Sequence, residues 1–217
     1  MFSSLKYDGV FDRKGGQVSE GVACLWNTDK FKLLHTSKIV LGEAVQENEK
    51  FKDILDVINT NEKLKEAFVK RTTALQIVVL ESKFGDKGLI IGTTHLYFKP
   101  DADHIRLLQI GTVMRELEFI KEQWSKIHPE KCFSILLCGD FNSTPPFGVL
   151  EFMRKKIIPL DHMDWKSAEG EEVKNFQIKH PFNMDSACGT PVYTNYTIGF
   201  KDCLDYIFYE SDRYGFN

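Results

Sequence analysis

Phe133-Ser-Ile-Leu-Leu-Cys138-Gly139-Asp140-Phe141-Asn142 decides how the chain is organised. Its first six residues read as a buried strand, a short apolar run that opens directly into polar turn residues. Upstream, Ile105, Leu108, Val113, Leu117, Ile120, Trp124 and Ile127 fall on one helical face, and His128-Pro129 ends that helix. Before it lie two strands, Thr73–Leu80 and Gly88–Leu96, paired across the turn Phe84-Gly-Asp-Lys87. Residues 49–70 alternate apolar and charged at helical spacing, with Asn59-Thr-Asn61 breaking them into two short helices. Residues 20–40 read as a hairpin turning at Asn27-Thr-Asp29, after a mobile Lys14-Gly15-Gly16 loop. Downstream come a short helix at Val149–Lys155 and an irregular polar stretch over 159–190. Strand-like runs follow at Tyr193–Tyr196 and Leu204–Tyr209. Strands alternating with helices, without repeat or linker, predict one α/β domain.

Composition narrows the function classes. With 217 residues the chain is long enough for one large domain. Lys plus Arg is 28 and Asp plus Glu is 31, a net charge of −3, which excludes a strongly basic nucleic-acid coat and a polyacidic tail. An apolar content of 42% argues against disorder. The 17 Phe residues imply a dense core or rings free for stacking. Five cysteines, odd in number and without a C-x-x-C pair, read as reduced thiols of an intracellular protein and not as a zinc site. No apolar run reaches ~18 residues, so no membrane helix is expected. Residues 1–10 resemble neither a signal peptide nor a transit peptide.

Three places carry chemistry. His95, at the end of an apolar strand, emerges where α/β folds place their sites, with a hydrogen-bonded structural histidine as the alternative. Asp140 and Asn142 stand at i and i+2, so the pleat points both to one face. A carboxylate there can hold a hard cation or take a proton, and a carboxamide can bind phosphate or metal. An Asx turn closing the strand is the plainer alternative. Asp205, inside the apolar run Cys203–Phe208, needs a designated partner, a His or a metal, unless backbone donors satisfy it. His104, His128, His162 and His180 sit among polar neighbours and read as solvated. Nucleotide-binding glycine loops and a serine-nucleophile elbow are absent.

Thr94-His-Leu-Tyr97, Gly139-Asp-Phe-Asn-Ser143 and Leu204-Asp-Tyr-Ile-Phe208, in this order, resemble the endonuclease/exonuclease/phosphatase superfamily. His104–Gln109, Asp161–Trp165 and Ser186–Gly189 extend the resemblance to its deadenylase-like branch, whose members degrade poly(A) or 2′,5′-oligoadenylate. The resemblance implies a two-sheet α/β sandwich in α-β-β-α layers. It also implies a Mg²⁺-dependent 3′–5′ exoribonuclease or phosphodiesterase releasing 5′-AMP from oligoadenylate or poly(A) RNA, with neither DNA nor membrane as partner. By resemblance, Asp140 orients or deprotonates water and contacts the metal, and Asn142 holds the scissile phosphate and the metal network. His95 binds phosphate, Asp205 orients a catalytic His, and Pro100 and Phe200 sandwich the adenine, a contact worth ~1–3 kcal/mol. Branch members include mitochondrial-matrix enzymes.

The family pattern also has a Gln-Glu strand and an Asn strand ahead of the hairpin, and a closing Ser-Asp-His strand. Residues 1–217 match neither end, and none of the six histidines follows Asp205. The expectation is a partial domain. The competing reading is an inactive fragment that binds adenosine, RNA or protein without turnover.

Overall fold

The computed structural model describes residues 6–213; residues 1–5, where the reading of a missing leader partly falls, lie outside the described residues. A six-stranded sheet forms the centre, in the order β3-β4-β5-β6-β12-β9. Its strands are β3 (Phe31–Val40), β4 (Ala74–Ser82), β5 (Lys87–His95), β6 (Cys132–Asp140), β9 (Met184–Ser186) and β12 (Asp205–Glu210). All neighbours run antiparallel except β5 and β6, which are parallel and joined by α4 (Asp103–Ile127). That crossover needs a long helix, which explains why the most regular apolar periodicity in the chain lies between these two strands.

Side-chain alternation on β4 builds two cores. Leu75, Ile77 and Val79 face the helices and join the main core with Leu108, Leu117, Phe133 and Phe208. Val78 and Leu80 face the other way and pack with Cys24 and Trp26. Both faces of β4 are therefore covered, as a central strand of an α/β layer structure requires.

The cover on the second face corrects the expected hairpin. β2 (Gly21–Asn27) pairs with β1 (Tyr7–Arg13) in a separate two-stranded sheet, while β3 pairs with β4 in the large one. Asn27-Thr-Asp29 thus turns the chain between layers, not between partners. The expected two-sheet sandwich is present as helices, six-stranded sheet and two-stranded sheet. Among the described residues no helix covers the outer face of β1–β2, where Phe11 and Leu25 are exposed. Lys14-Gly15-Gly16 is not loose either: Gly15 is buried and its N–H donates to Thr72 O at 2.8 Å.

On the helical side, α1 (Leu41–Glu47), α2 (Lys52–Ile58) and α3 (Glu62–Val69) bury Val45, Ile54 and Phe68. The break at Asn59-Thr-Asn61 is a cap: the Asn61 carboxamide oxygen accepts from Lys63 N and Leu64 N. α5 (Gly148–Lys155) follows the polar turn after β6; the stretch read as irregular holds β9 and also β8 (Ile178–Lys179), which pairs with β7 (Ile157–Ile158) just ahead of that stretch. β10 (Asn195–Tyr196) and β11 (Lys201–Asp202) form a small hairpin in front of β12. His104 and His180, expected in solvent, are buried. His104 bonds Ser167 and Glu171, and His180 bonds the Phe152 carbonyl, so local polarity misjudged their burial.

Candidate active site

Three adjacent strands bring the three chemical candidates to one edge of the sheet. His95 ends β5 and stands in register with Asp140, the last residue of β6; Asp140 stands in register with Asp205, the first of β12. Register partners share a face. Nε2 of His95 lies 3.7 Å from Oδ2 of Asp140.

Glycine makes this approach possible. Gly139 takes φ +153°, and a Cβ there would overlap the Thr94 carbonyl oxygen on β5. After the strand the chain turns sharply. Asn142 has φ +47°, and its N–H donates to Oδ1 of Asp140 at 2.8 Å. Its Nδ2 donates to Leu96 O at 2.9 Å, fixing the amide plane beside His95. The Asx turn weighed as the plainer alternative is thus present, and the strand ends at Asp140, so this turn and not the pleat sets Asn142 beside it.

Behind this edge, Gln109 of α4 ties the strand ends together. Its oxygen accepts from Tyr97 N at 2.9 Å, and its amide nitrogen donates to Thr73 Oγ1 at 3.0 Å. Arg106, buried beside it, donates to the carbonyls of Tyr97 and Lys99 and pairs with Asp103. These bonds hold the loop that carries Pro100.

Electrostatics single out Asp140. Burial raises its carboxyl pKa above the usual carboxylate range, with Asp205 adding to the rise; the Asn142 N–H and His95 pull it back. Asp205 has a partner, though not a histidine. Thr194 Oγ1 donates to its Oδ2 at 2.7 Å and accepts the N–H groups of Leu204 and Asp205. Asp205 sits at the exposed start of β12, so the desolvation cost anticipated inside an apolar run does not arise.

Two clefts flank the edge. One, of about 530 Å³, is lined by Pro100, Arg106, Asn142, Phe147, Phe200 and Leu204, so the two base-stacking candidates share a cavity with Asn142. The other, of about 430 Å³, is lined by Lys14, Glu20, Arg71, His95 and Tyr97. Phe98 borders both. Lys14 and Glu20 were not foreseen. Lys14 Nζ lies 3.0 Å from His95 Nδ1 and 2.7 Å from Glu20 Oε2. Nothing in the local sequence marks them, because only the stacking of β1–β2 onto β4–β5 brings them to His95.

For a metal, Asp140 and Asn142 offer a carboxylate and an amide oxygen, donors that suit a hard ion keeping most of its waters. The crowding of Asp140 and Asp205 is what a cation would relieve, and the donor set fits on that ground. Among the described residues no group of three or more His, Cys, Asp or Glu is arranged to hold a metal ion.

The chain is 37% identical over 202 residues to human 2′,5′-phosphodiesterase 12, covering 93% of this chain and 32% of that protein. Its backbone superposes on ANGEL2, a 2′,3′-cyclic phosphatase, with TM-score 0.72 at 19% identity, covering 97% of this chain and 64% of that one. In sequence the chain is thus similar to a 2′,5′-phosphodiesterase, and in fold to ANGEL2. No family profile matches it. It is also 24% identical over 235 residues to the Ccr4 3′-5′-exoribonuclease subunit of Mycosarcoma maydis, covering 95% of this chain and 34% of that subunit. The chain spans about a third of the length of these curated relatives. No helix among the described residues is long and apolar enough to cross a membrane.

Proposed function

We propose that this site belongs to a Mg²⁺-dependent phosphodiesterase that removes 5′-AMP from the 3′ end of 2′,5′-oligoadenylate or poly(A). The observation that carries the reading is the register of His95, Asp140 and Asp205 at one sheet edge, with Asn142 opening onto the Pro100–Phe200 cavity. Two relatives named for phosphodiester cleavage support the chemistry. Phe200 is 44% exposed, so its ring is free to stack on a base.

Asp140, with its raised pKa, takes the proton of the attacking water. The water oxygen bonds to phosphorus in line, and the bond to the 2′- or 3′-oxygen of the preceding nucleoside breaks. That oxygen leaves as a hydroxyl after taking a proton from solvent. Asn142 and His95 hold the phosphate oxygens. A divalent cation on Asp140 and Asn142 would supply positive charge at the phosphate. We further propose a mitochondrial-matrix location, which organelle fractionation tests.

A second reading, adenylate binding without cleavage, is favoured by the Thr194 hydroxyl, which already engages Oδ2 of Asp205. The deciding experiment is release of AMP from oligoadenylate by this chain with Mg²⁺, and its loss in Asp140→Asn. Binding without release, unchanged by Asp140→Asn, selects the second reading. In either case Phe200→Ala should weaken AMP binding about 5- to 150-fold and leave ribose 5-phosphate unaffected. Equal losses on both ligands remove the stacking role.

A further inference from the structure

The cleft on the far side of His95 contains a contact that the reaction scheme leaves unused. Lys14 Nζ lies 3.0 Å from Nδ1 of His95. The lysine side chain is only 11% exposed, and its ammonium also pairs with Glu20 Oε2 at 2.7 Å. Its backbone is pinned: Lys14 N–H donates to Glu20 O at 3.0 Å, and the next residue donates to Thr72 O. The contact is therefore built by the fold, not by a loose surface side chain.

An ammonium has three N–H donors and no acceptor. Facing Lys14, the Nδ1 atom of His95 can only accept, and the ring proton of the neutral imidazole must sit on Nε2. Nε2 is the nitrogen that faces Asp140, 3.7 Å from its Oδ2. Glu20 also faces the ring, 3.9 Å from Nδ1, and as an acceptor it would favour the opposite tautomer. Lys14 stands closer to Nδ1 than Glu20 does and engages the glutamate itself.

We propose that Lys14 is a positioning residue that sets the tautomer of His95, so that the ring presents an N–H to the site and never a lone pair. The consequence for phosphate rests on the phosphodiesterase reading: an Nε2–H donor binds a phosphate oxygen, and an Nε2 lone pair repels it. The tautomer itself does not depend on that reading. Lys14 acts through His95, while Glu20 keeps the ammonium aimed at the ring.

The test is long-range ¹H–¹⁵N correlation of the imidazoles in the intact chain, without substrate, at a pH where His95 is neutral. Wild type should show a protonated Nε2 and an unprotonated Nδ1. Losing a charge-assisted hydrogen bond changes the tautomer ratio by roughly tenfold, so Lys14→Met should raise the Nδ1–H form by about that factor. Lys14→Arg, which keeps a donor-only head, should restore the wild-type ratio. A wild-type His95 protonated on Nδ1 overturns the proposal, whatever the variants do. An unchanged ratio in a folded Lys14→Met also overturns it. If the tautomer behaves as stated and no phosphate ligand shifts the His95 signals, the positioning role stands and the phosphodiesterase reading fails.

Discussion

Replacing Gly139 by alanine tests how the site is assembled, and Gly85 is its control. Both glycines have positive φ, +153° and +98°. An L-residue in such a region costs about 1–3 kcal/mol, and Gly→Ala regains about 0.4–1 kcal/mol by restricting the unfolded chain. Both contributions apply at each position and largely cancel in the comparison. What differs is space. A Cβ at Gly85 meets nothing within 4 Å, whereas at Gly139 it meets the Thr94 carbonyl on the paired strand. Relieving that overlap means parting β5 and β6 where Leu96 N–H donates to Asp140 O at 2.9 Å. An overpacked contact costs about 1–3 kcal/mol and a lost hydrogen bond about 1 kcal/mol.

Gly139→Ala should therefore be about 2–4 kcal/mol less stable than Gly85→Ala. For a domain of this size each kcal/mol moves Tm by about 2–4 °C, so the two melting points should differ by about 4–16 °C. Thermal unfolding followed by circular dichroism reads this directly. In the same samples the His95 ring signals should shift in Gly139→Ala and stay in place in Gly85→Ala. Equal melting points would mean that the sheet edge tolerates a side chain beside Thr94, and the close approach could not be the reason for glycine before Asp140.

Two titrations give further checks. The folded-state pKa of Asp140 is raised, so the folded chain binds more protons than the unfolded one just above the ordinary carboxylate range, and stability falls as pH rises through that window. Asp140→Asn keeps an oxygen for the Asn142 N–H and removes a charge beside Asp205. In chelator at neutral pH it should melt above wild type, with the advantage fading in acid; a lower Tm at neutral pH refutes the crowding. His180 behaves in the opposite sense. Burial lowers its pKa from 6.5 to about 4, so the unfolded chain binds the proton first and stability is lost as pH falls from about 6.5 towards 4. Its ring protons should titrate near pH 4 in NMR spectra; a midpoint near the ordinary histidine value would show that the ring is solvated.

How much of this was legible follows from what each signal encodes. The run from Phe133 to Asn142 carries its own strand, its own glycine and its own turn, so Asp140 and Asn142 could be placed without knowing any neighbour. His95 was readable as a polar residue at the end of an apolar strand, whereas Asp205 read as a charge inside one and sits instead at the exposed start of β12. Their meeting depends on the register of three strands, two of them far apart in sequence. Alternation between polar and apolar residues identifies a strand but not the strand beside it. Val22, Cys24 and Trp26 alternate as well on β2 as they would in a hairpin with β3, and only their packing on the outer face of β4 reveals a second layer. The same ambiguity hid Lys14. A lysine before two glycines has the composition of a loose loop, and its burial against His95 follows from the β1–β2 sheet lying across β4 and β5. The candidate site residues could thus be read from motifs, whereas the side chain that contacts one of them, Lys14, depends on a layer contact that no local pattern records.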